Sequence, residues 1–279
     1  MRDLRTAEPA HWGWGSGMNN NFVRRIALAS LMLAGAAIGV AGSASAADLA
    51  VRAVAPPFSW SGCYVGGYAG WATANTWTST DLGSNTFAVF NPGGFNPWSY
   101  SENTSFTGGG TVGCNWQPWA GSGLVLGVEG EAGYLQLSGS ALEPNSGVAG
   151  FANVIGSSKM GNGYGLIAGR VGWAFYERIL LYGKVGVAFY DSTATVSQTG
   201  PFVDNITATA SKSQSPLAVG GGVEYAMTDH WTGKAEYMFL DSSSSYTTCG
   251  VDSFVAQTFC WKQDPSPIHL VKFGLNYKF

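Results

Sequence analysis

Residues 269–279, His-Leu-Val-Lys-Phe-Gly-Leu-Asn-Tyr-Lys-Phe, alternate between two sets of side chains. One set is apolar or aromatic: His269, Val271, Phe273, Leu275, Tyr277 and Phe279. The intervening set carries the lysines and the asparagine: Leu270, Lys272, Gly274, Asn276 and Lys278. Successive side chains of a β-strand point to opposite faces, so this stretch predicts a strand with one apolar and one polar face. If such a strand crosses a membrane, its apolar face meets lipid and its other face lines a lumen.

Seven earlier segments show the same period of two. With the last one they cover residues 62–72, 105–116, 123–136, 164–176, 179–191, 216–228, 231–241 and 268–279. Three connections are short, at 117–122, 177–178 and 229–230. The other four are long and rich in Ser, Thr, Gly and Asn, at 73–104, 137–163, 192–215 and 242–267. This strict alternation predicts an all-β fold, an eight-stranded antiparallel up-and-down transmembrane β-barrel with both termini on the periplasmic side.

The composition also favours a sheet that meets lipid. Charged residues make up 11% of the chain, against about 25% in soluble domains. Glycine accounts for 40 of the 279 residues, about twice the usual share of about 7%. The net charge is −3, so the chain lacks the basic surface that nucleic-acid binding requires, and we expect no nucleic-acid partner.

The N-terminal region predicts export. Arg24 and Arg25 precede an apolar run over 26–40, which is too short for a membrane-spanning helix of about 20 residues. An A-x-A cleavage site ends at Ala46, so we predict a signal peptide over 1–46, for which Met18 is a more ordinary start than Met1. An uncleaved anchor or a buried helix is the alternative. Cleavage removes four arginines and two acidic residues, which changes the net charge from −3 to about −5.

The mature chain would then consist of a short lead and the barrel. Residues 47–60, which contain prolines, form the predicted N-terminal periplasmic lead. Residues 61–279 form the predicted outer-membrane barrel.

The other predicted strands repeat the division into two faces. Apolar residues occupy the positions that would face lipid: Leu124, Leu126, Val128, Tyr134, Ile167, Val171, Trp173, Phe175, Leu181, Val185, Val187, Phe189, Val219, Val223 and Tyr225. Small or polar residues occupy inward positions: Gly66, Tyr68, Gly70, Thr111, Asn115, Gly220 and Gly222. Aromatic residues near the strand ends predict girdles at the membrane interfaces: Trp60, Trp71, Trp116, Trp119, Trp173, Tyr176, Trp231 and Tyr277.

The mid-strand charges all have inward parity. They are four acids and four bases: Glu129, Glu131, Arg170, Lys184, Glu224, Lys234, Glu236 and Lys272. A charge that faces lipid at mid-bilayer costs about 2–4 kcal/mol, which explains the sorting. Because side chains fill the interior of an eight-stranded barrel and buried charges must pair, we predict a neutral ion-pair network that closes the lumen. Glu224 is expected beside Lys234 or Glu236, with Lys184 on the next strand. A solvated set of charges on a soluble sheet is the alternative.

Four cysteines remain after the predicted cleavage, and export places them in an oxidising compartment. Cys249 and Cys260 lie eleven positions apart in the last long connection, and we predict a disulfide between them. Cys63 is early in the first strand and Cys114 late in the second. Antiparallel pairing of these strands brings the two together near the periplasmic rim, either as a cross-strand disulfide or as two free thiols.

Motifs of known catalytic and metal sites are missing from the predicted mature chain. His230 lies in a short turn and His269 at the outer end of the last strand. There is no H-E-x-x-H, C-x-x-C or G-x-S-x-G motif and no phosphate-binding loop. His269 and Ser266 could be taken for part of a hydrolase site, but no H-x-S arrangement supports this. The sequence therefore predicts no enzyme activity, no metal site and no cofactor.

Four further stretches, together with the last strand, resemble the porin-like, outer-membrane immunogenic β-barrel proteins of alphaproteobacteria. They are Trp60–Gly67 (WSGCYVGG), Gly110–Gln117 (GTVGCNWQ), Gly220–Tyr225 (GGGVEY) and Trp231–Tyr237 (WTGKAEY). The resemblance covers essentially the whole mature chain, and the order of the motifs is more specific than any one of them. The family usually has an aromatic residue where this chain has Cys63 and Cys114.

The resemblance also implies partners. The C-terminal residues Phe273, Leu275, Tyr277 and Phe279 are similar to the signal by which the barrel-assembly machinery recognises its clients. The machinery, outer-membrane lipids and lipopolysaccharide are therefore the expected partners, and the cell outer membrane is the expected location. The resemblance does not indicate an oligomeric state.

Members of this family are described as structural proteins, surface antigens, weak pores and haemin binders, so the resemblance does not imply a single function. We predict a structural, surface-exposed barrel with a closed lumen. The alternative is a small passive pore, or a protein that binds haemin or a host ligand through aromatic residues of the first long connection: Phe87, Phe90, Phe95, Trp98 and Tyr100. No histidine lies in the long connections, which leaves Met160 and Tyr100 as candidate axial ligands.

Overall fold

The computed structural model describes residues 58–82, 97–119, 122–144, 146, 153–200, 203–241, 244–252 and 256–279. The predicted signal peptide and residues 47–57 of the lead lie outside them, as do Phe87, Phe90 and Phe95. No helix in the described part of the chain is long and apolar enough to cross a membrane.

Thirteen β-strands are formed by the described residues. They are β1 (Gly62–Ala74), β2 (Trp77–Asp81), β3 (Pro97–Tyr100), β4 (Ser105–Trp116), β5 (Leu124–Leu142), β6 (Asn153–Phe175), β7 (Ile179–Gly200), β8 (Val203–Gln214), β9 (Leu217–Ala226), β10 (Trp231–Leu240), β11 (Tyr246–Asp252), β12 (Gln257–Asp264) and β13 (Ile268–Lys278).

Eight of these strands close into a barrel. The hydrogen-bonded ring runs β1, β4, β5, β6, β7, β9, β10 and β13, and β13 pairs with β1 to complete it. Every pairing is antiparallel, and each predicted segment overlaps one of these eight strands. The predicted eight-stranded up-and-down barrel is confirmed.

The two faces of the barrel wall also follow the predicted parity. Outward residues of the last strand are exposed, among them Val271, Phe273, Leu275 and Tyr277. Trp60 differs from the prediction, because it is 2% exposed and its indole Nε1 donates to the carbonyl oxygen of Glu177 at 3.0 Å. Trp60 thus lies inside the barrel end and is not part of an interfacial girdle.

The four long connections were predicted as loops, and this was wrong for much of their length. β5, β6 and β7 continue well beyond the predicted segments, and β8 pairs with the extension of β7. The reason is that the alternation persists there: Ala194 and Val196 of β7 and Ile206 and Ala208 of β8 are buried, while the polar residues between them point outward.

The remaining strands form a second sheet, which we call the cap sheet, in the order β11, β12, β2 and β3. Its large aromatic residues Trp77, Trp98 and Trp261 are at most 3% exposed. They belong to the same buried apolar cluster as Leu135 and Leu270 of the barrel strands. The cap sheet therefore packs on the outer end of the barrel through a continuous hydrophobic core.

Candidate functional site: the barrel lumen

All eight mid-strand charges are buried in the lumen, and each residue is at most 5% exposed. They come from six of the eight barrel strands and their side chains meet in one group. The inward parity of the sequence positions places them there, since β-strand side chains alternate between the faces.

Lys184 of β7 lies at the centre of this group. Its Nζ atom is 2.7 Å from Glu129 Oε1, 2.8 Å from Glu131 Oε1 and 3.0 Å from Glu236 Oε2. These three carboxylates approach one another as they would around a metal ion. The ammonium group of Lys184 lies between these three carboxylates, so a cationic side chain of the protein itself occupies the space where a metal ion would bind.

Arg170 of β6 extends the group toward the periplasmic end. Its Nη2 donates to Glu224 Oε2 at 2.7 Å, and its Nη1 lies 3.4 Å from Glu129 Oε2. The guanidinium carbon is 4.0 Å from the centre of the Tyr182 ring, a cation–π arrangement. Asn276 Nδ2 donates to Glu224 Oε1 at 3.0 Å.

Two more lysines complete the group. Lys272 Nζ is 2.7 Å from Glu131 Oε2 and 2.8 Å from Glu236 Oε1. Lys234 Nζ is 2.9 Å from Glu129 Oε1. The eight residues thus form one connected, neutral set of contacts, which we call the lumen network.

The predicted neighbours of Glu224 are confirmed in the strand ladder, but the ion pairs join other residues. Glu224 lies opposite Lys234 in the β9–β10 ladder, as the hairpin requires. The ion pairs, however, cross the lumen: Glu224 binds Arg170, and Lys234 binds Glu129. A sequence does not specify which side chains meet across a barrel, because this depends on strand tilt and stagger.

An apolar layer covers the periplasmic side of the lumen network. It consists of Trp60, Val125, Leu180, Tyr182 and Ala226, with Phe58 and Ala174 packed against it. Leu180 is fully buried.

A second apolar layer lies on the extracellular side. Its barrel residues are Ala72, Leu135, Leu137, Met160, Leu166, Met238, Leu240, Ile268 and Leu270. These positions have inward parity, yet the sequence had indicated small or polar residues on this face. The missed signal was the run of Leu and Met on the lumen parity of several strands near their outer ends.

The candidate ligand-binding residues that are described lie in the packed interior. Trp98 and Tyr100 are 3% and 6% exposed, and Met160 is fully buried. Met160 belongs to the outer apolar layer. These side chains form the core between the cap sheet and the barrel and are not displayed to solvent.

The predicted disulfide between Cys249 and Cys260 is present, and Cys63 and Cys114, for which the sequence left a disulfide and two free thiols as alternatives, are also bonded. Cys249 and Cys260 bond within the cap sheet, and Cys63 bonds Cys114 between β1 and β4. Cys63 lies directly opposite Cys114 in the β1–β4 register.

Comparison with known proteins agrees with this architecture. The sequence pattern of the outer membrane protein β-barrel domain matches residues 34–279. The chain is 30% identical over 265 residues to the 31 kDa outer-membrane immunogenic protein of Brucella melitensis, which covers 90% of this chain and 99% of that protein. The protein of the same name from Brucella suis matches with the same figures.

Among solved structures, the chain is similar to the outer membrane protein OprG from Pseudomonas aeruginosa, with a TM-score of 0.48 and 14% identity over 78% of this chain and 96% of that chain. The family resemblance seen in the sequence is confirmed by the match over residues 34–279 and by the Brucella relatives. This chain belongs to the outer membrane β-barrel protein family and is a protein of the outer membrane.

Proposed function

We propose that this protein is a structural, surface-exposed barrel of the outer membrane whose lumen is closed to solutes. The single observation that supports this most is the order of layers along the lumen: an apolar layer, the lumen network, and a second apolar layer under the cap sheet. An ion or a sugar would have to displace packed Leu and Met side chains as well as break buried ion pairs.

The charge balance of the lumen network supports the same conclusion. Four carboxylates face four basic groups, so no net charge remains to attract ions into the lumen. Removing one partner of a buried pair typically costs about 3–5 kcal/mol, so opening the network is unfavourable.

The alternative functions receive less support from the described residues. Haemin binding through Trp98, Tyr100 or Met160 would require these buried side chains to leave the core. We therefore propose that the protein uses no cofactor and no metal.

We also propose that it is not an enzyme. Ser266 Oγ accepts hydrogen bonds from the backbone amides of Asn75 and Thr76, each at 3.0 Å. The ring of His269 bonds Tyr237 through Nδ1 at 2.7 Å. These contacts support structural roles for both residues.

Two partners belong to this proposal. The barrel-assembly machinery would insert the protein by recognising the outward C-terminal residues Phe273, Leu275, Tyr277 and Phe279, which are 41–71% exposed. Outer-membrane lipids, including lipopolysaccharide, would surround the apolar outer face.

Liposome swelling tests the closed lumen. Proteoliposomes loaded with dextran and diluted into isotonic arabinose should swell no faster than protein-free liposomes, while liposomes with a general porin swell. Haemin titration of the same refolded protein should give no saturable Soret shift. Arabinose-driven swelling, or a saturable shift at micromolar haemin, would contradict the proposal.

A further inference from the structure

The outer face of β5–β8 changes from apolar to polar residues above the membrane-spanning part. Its outward residues there are mostly hydroxyl side chains, and we call this surface the hydroxyl face: Ser138, Ser140, Ser157, Lys159, Thr193, Thr195, Ser197, Thr207, Thr209 and Ser211. The strand registers arrange them in rows. One row is Ser140, Ser157, Thr195 and Thr209, and the next is Ser138, Lys159, Thr193 and Ser211.

The hydroxyl groups in these rows are held in place and keep spare bonding capacity. Thr193 Oγ1 lies 2.9 Å from Ser211 Oγ, and Thr195 Oγ1 lies 3.0 Å from Thr209 Oγ1. A hydroxyl can donate one hydrogen bond and accept two, so each pair can still bind an outside partner. The surface thus presents regularly spaced hydrogen-bond donors and acceptors, which can bond to the hydroxyl groups of a sugar.

The hydroxyl face continues directly from the lipid-facing surface of the same strands. On β7 the outward residues Leu181, Val185, Val187 and Phe189 are exposed and apolar. From Ile179 to Phe189 the strand rises about 25 Å across the membrane, at about 3.3 Å per residue and a tilt of about 40°, which matches the apolar belt of outer-membrane barrels. Lipid that covers this belt necessarily brings its headgroup to the first rows above Phe189.

A groove of about 410 Å³ opens at this boundary. Its lower wall includes Phe189 and Gly165, and its upper wall includes Asp191 and Ser213. The groove exists because β6 has two residues more than β7 between Met160 and Tyr164, a bulge. Bulges bend a strand locally and often occur beside binding sites.

The bulge contains unusual backbone conformations. Gly161 and Asn162 have positive φ angles of 89° and 112°. Gly163 lines the groove, and the space in front of it is open, since a Cβ atom there would meet nothing within 4 Å.

Two charged residues lie at the upper side of the groove, Asp191 in its wall and Lys159 in the row above. Asp191 accepts a hydrogen bond from Ser213 Oγ at 2.6 Å and is exposed. Lys159 lies in the row above, is exposed, and forms no ion pair with any residue that the structure describes. A carboxylate can accept hydrogen bonds from the hydroxyl groups of a sugar, and an ammonium group can bind a phosphate. Together the two groups fit a phosphorylated sugar.

We propose that the groove and the hydroxyl face bind the phosphorylated sugar headgroup of an outer-leaflet glycolipid of the lipopolysaccharide type, whose acyl chains cover the apolar belt below. The proposal rests on the membrane placement of the barrel and not on the closed lumen. In this proposal Lys159 binds the phosphate. The sugar hydroxyl groups form hydrogen bonds with Asp191, Ser213 and the hydroxyl rows.

Native mass spectrometry of the refolded full chain in detergent tests this. The probes are diphosphorylated lipid A with its first core sugars, the same lipid with one phosphate removed, and phosphatidylglycerol. We expect at least tenfold tighter binding of the diphosphorylated glycolipid than of phosphatidylglycerol, with the monophosphorylated form between them.

Matched variants locate the site. Gly163→Phe fills the groove and Lys159→Glu reverses the charge, and each should weaken glycolipid binding at least fivefold. The controls are Gly169→Phe on the lipid-facing surface of β6, and Lys262→Gln in the cap sheet, where Lys262 is paired with Asp264 at 2.9 Å. Both controls should bind as the unmodified chain does.

Several results would overturn the proposal. Equal binding of phosphatidylglycerol and glycolipid would show recognition of phosphate or acyl chains alone. Unchanged binding by Gly163→Phe and Lys159→Glu would place any glycolipid contact elsewhere. Liposome swelling by the same variants is a separate readout, so failure here is distinguishable from failure of the closed-lumen proposal.

Discussion

At the scale of single residues, Lys184 is the clearest test of the lumen network, because its ammonium group contacts three carboxylates. Lys184→Met should lower the free energy of unfolding by about 3–5 kcal/mol, since it leaves buried carboxylates without their partner. The measurement is urea unfolding of the barrel in detergent, followed by tryptophan fluorescence.

An exposed ion pair provides the control for this substitution. Lys262→Met removes a contact with Asp264 in which both side chains are at least one-third exposed, and such pairs contribute about 0–1 kcal/mol. The double variant Lys184→Met/Glu236→Leu restores neutrality and should recover part of the loss. If Lys184→Met and Lys262→Met cost the same, the buried network does not stabilise the barrel.

Glycine in the barrel wall gives a second prediction at this scale. Gly70 of β1 faces the lumen, and a Cβ atom there would collide with the carbonyl oxygen of Val271 on β13. Gly67 faces lipid, and its Cβ atom would lie at an ordinary 3.5 Å from Gly109.

Gly70→Ala should therefore destabilise the barrel by about 1–3 kcal/mol, as overpacking does, while Gly67→Ala should have little effect. Urea unfolding of the two variants side by side measures the difference. Equal midpoints would mean that β1 and β13 do not approach each other as closely as described.

At the scale of elements, the extracellular part contains a buried carboxyl that should make it sensitive to pH. Glu102 follows β3, is 6% exposed, and accepts a hydrogen bond from Ser158 Oγ at 2.6 Å. Burial raises the pKa of Glu102 from 4.5 to about 7, and the bond from Ser158 offsets this only in part.

Because the pKa is higher in the folded state, packing around Glu102 is favoured when the carboxyl is protonated. This contribution is complete below about pH 4.5 and is lost as the pH rises through about 7. The shift corresponds to about 3 kcal/mol. Hydrogen exchange of peptides around 97–104 and 153–159, corrected for intrinsic rates, should show more protection at pH 5 than at pH 8.

Glu102→Gln should remove this pH dependence, since the amide is neutral throughout. Glu143→Gln, which changes a half-exposed glutamate near the tip of the β5–β6 hairpin, is the matched control and should leave the dependence intact. Equal protection at both pH values in the unmodified chain would show that Glu102 is not buried as described.

The strands also show which parts of the fold can be predicted from the sequence. The eight barrel strands are predictable because lipid on one side and packed charges on the other impose a strict period of two. The extensions of β5–β8 and the cap sheet were not predicted, because Ser, Thr and Gly are typical of loops. There the apolar face is formed by small residues such as Ala194 and Ala208, which give a weak signal.

At the scale of the whole molecule, the alternation of side chains along each strand predicts which charged residues belong to the lumen network. It does not predict which of these residues form ion pairs with one another. Charges such as Glu129 and Lys234 are far apart in sequence and meet only because the sheet closes with a particular stagger. The apolar layers were missed because the lumen of such barrels is expected to be polar. Leu166 and Met238, on inward positions, contradict that expectation and instead fill the interior.

The current across a planar lipid bilayer tests the closed lumen most directly. With the refolded full chain inserted in a bilayer bathed in concentrated potassium chloride, and its folding verified by a faster-migrating unboiled band on a gel, we predict a current equal to that of the protein-free membrane. Stable, ohmic openings that scale with the amount of inserted protein would contradict the account, because they require a continuous aqueous path through both apolar layers and the lumen network.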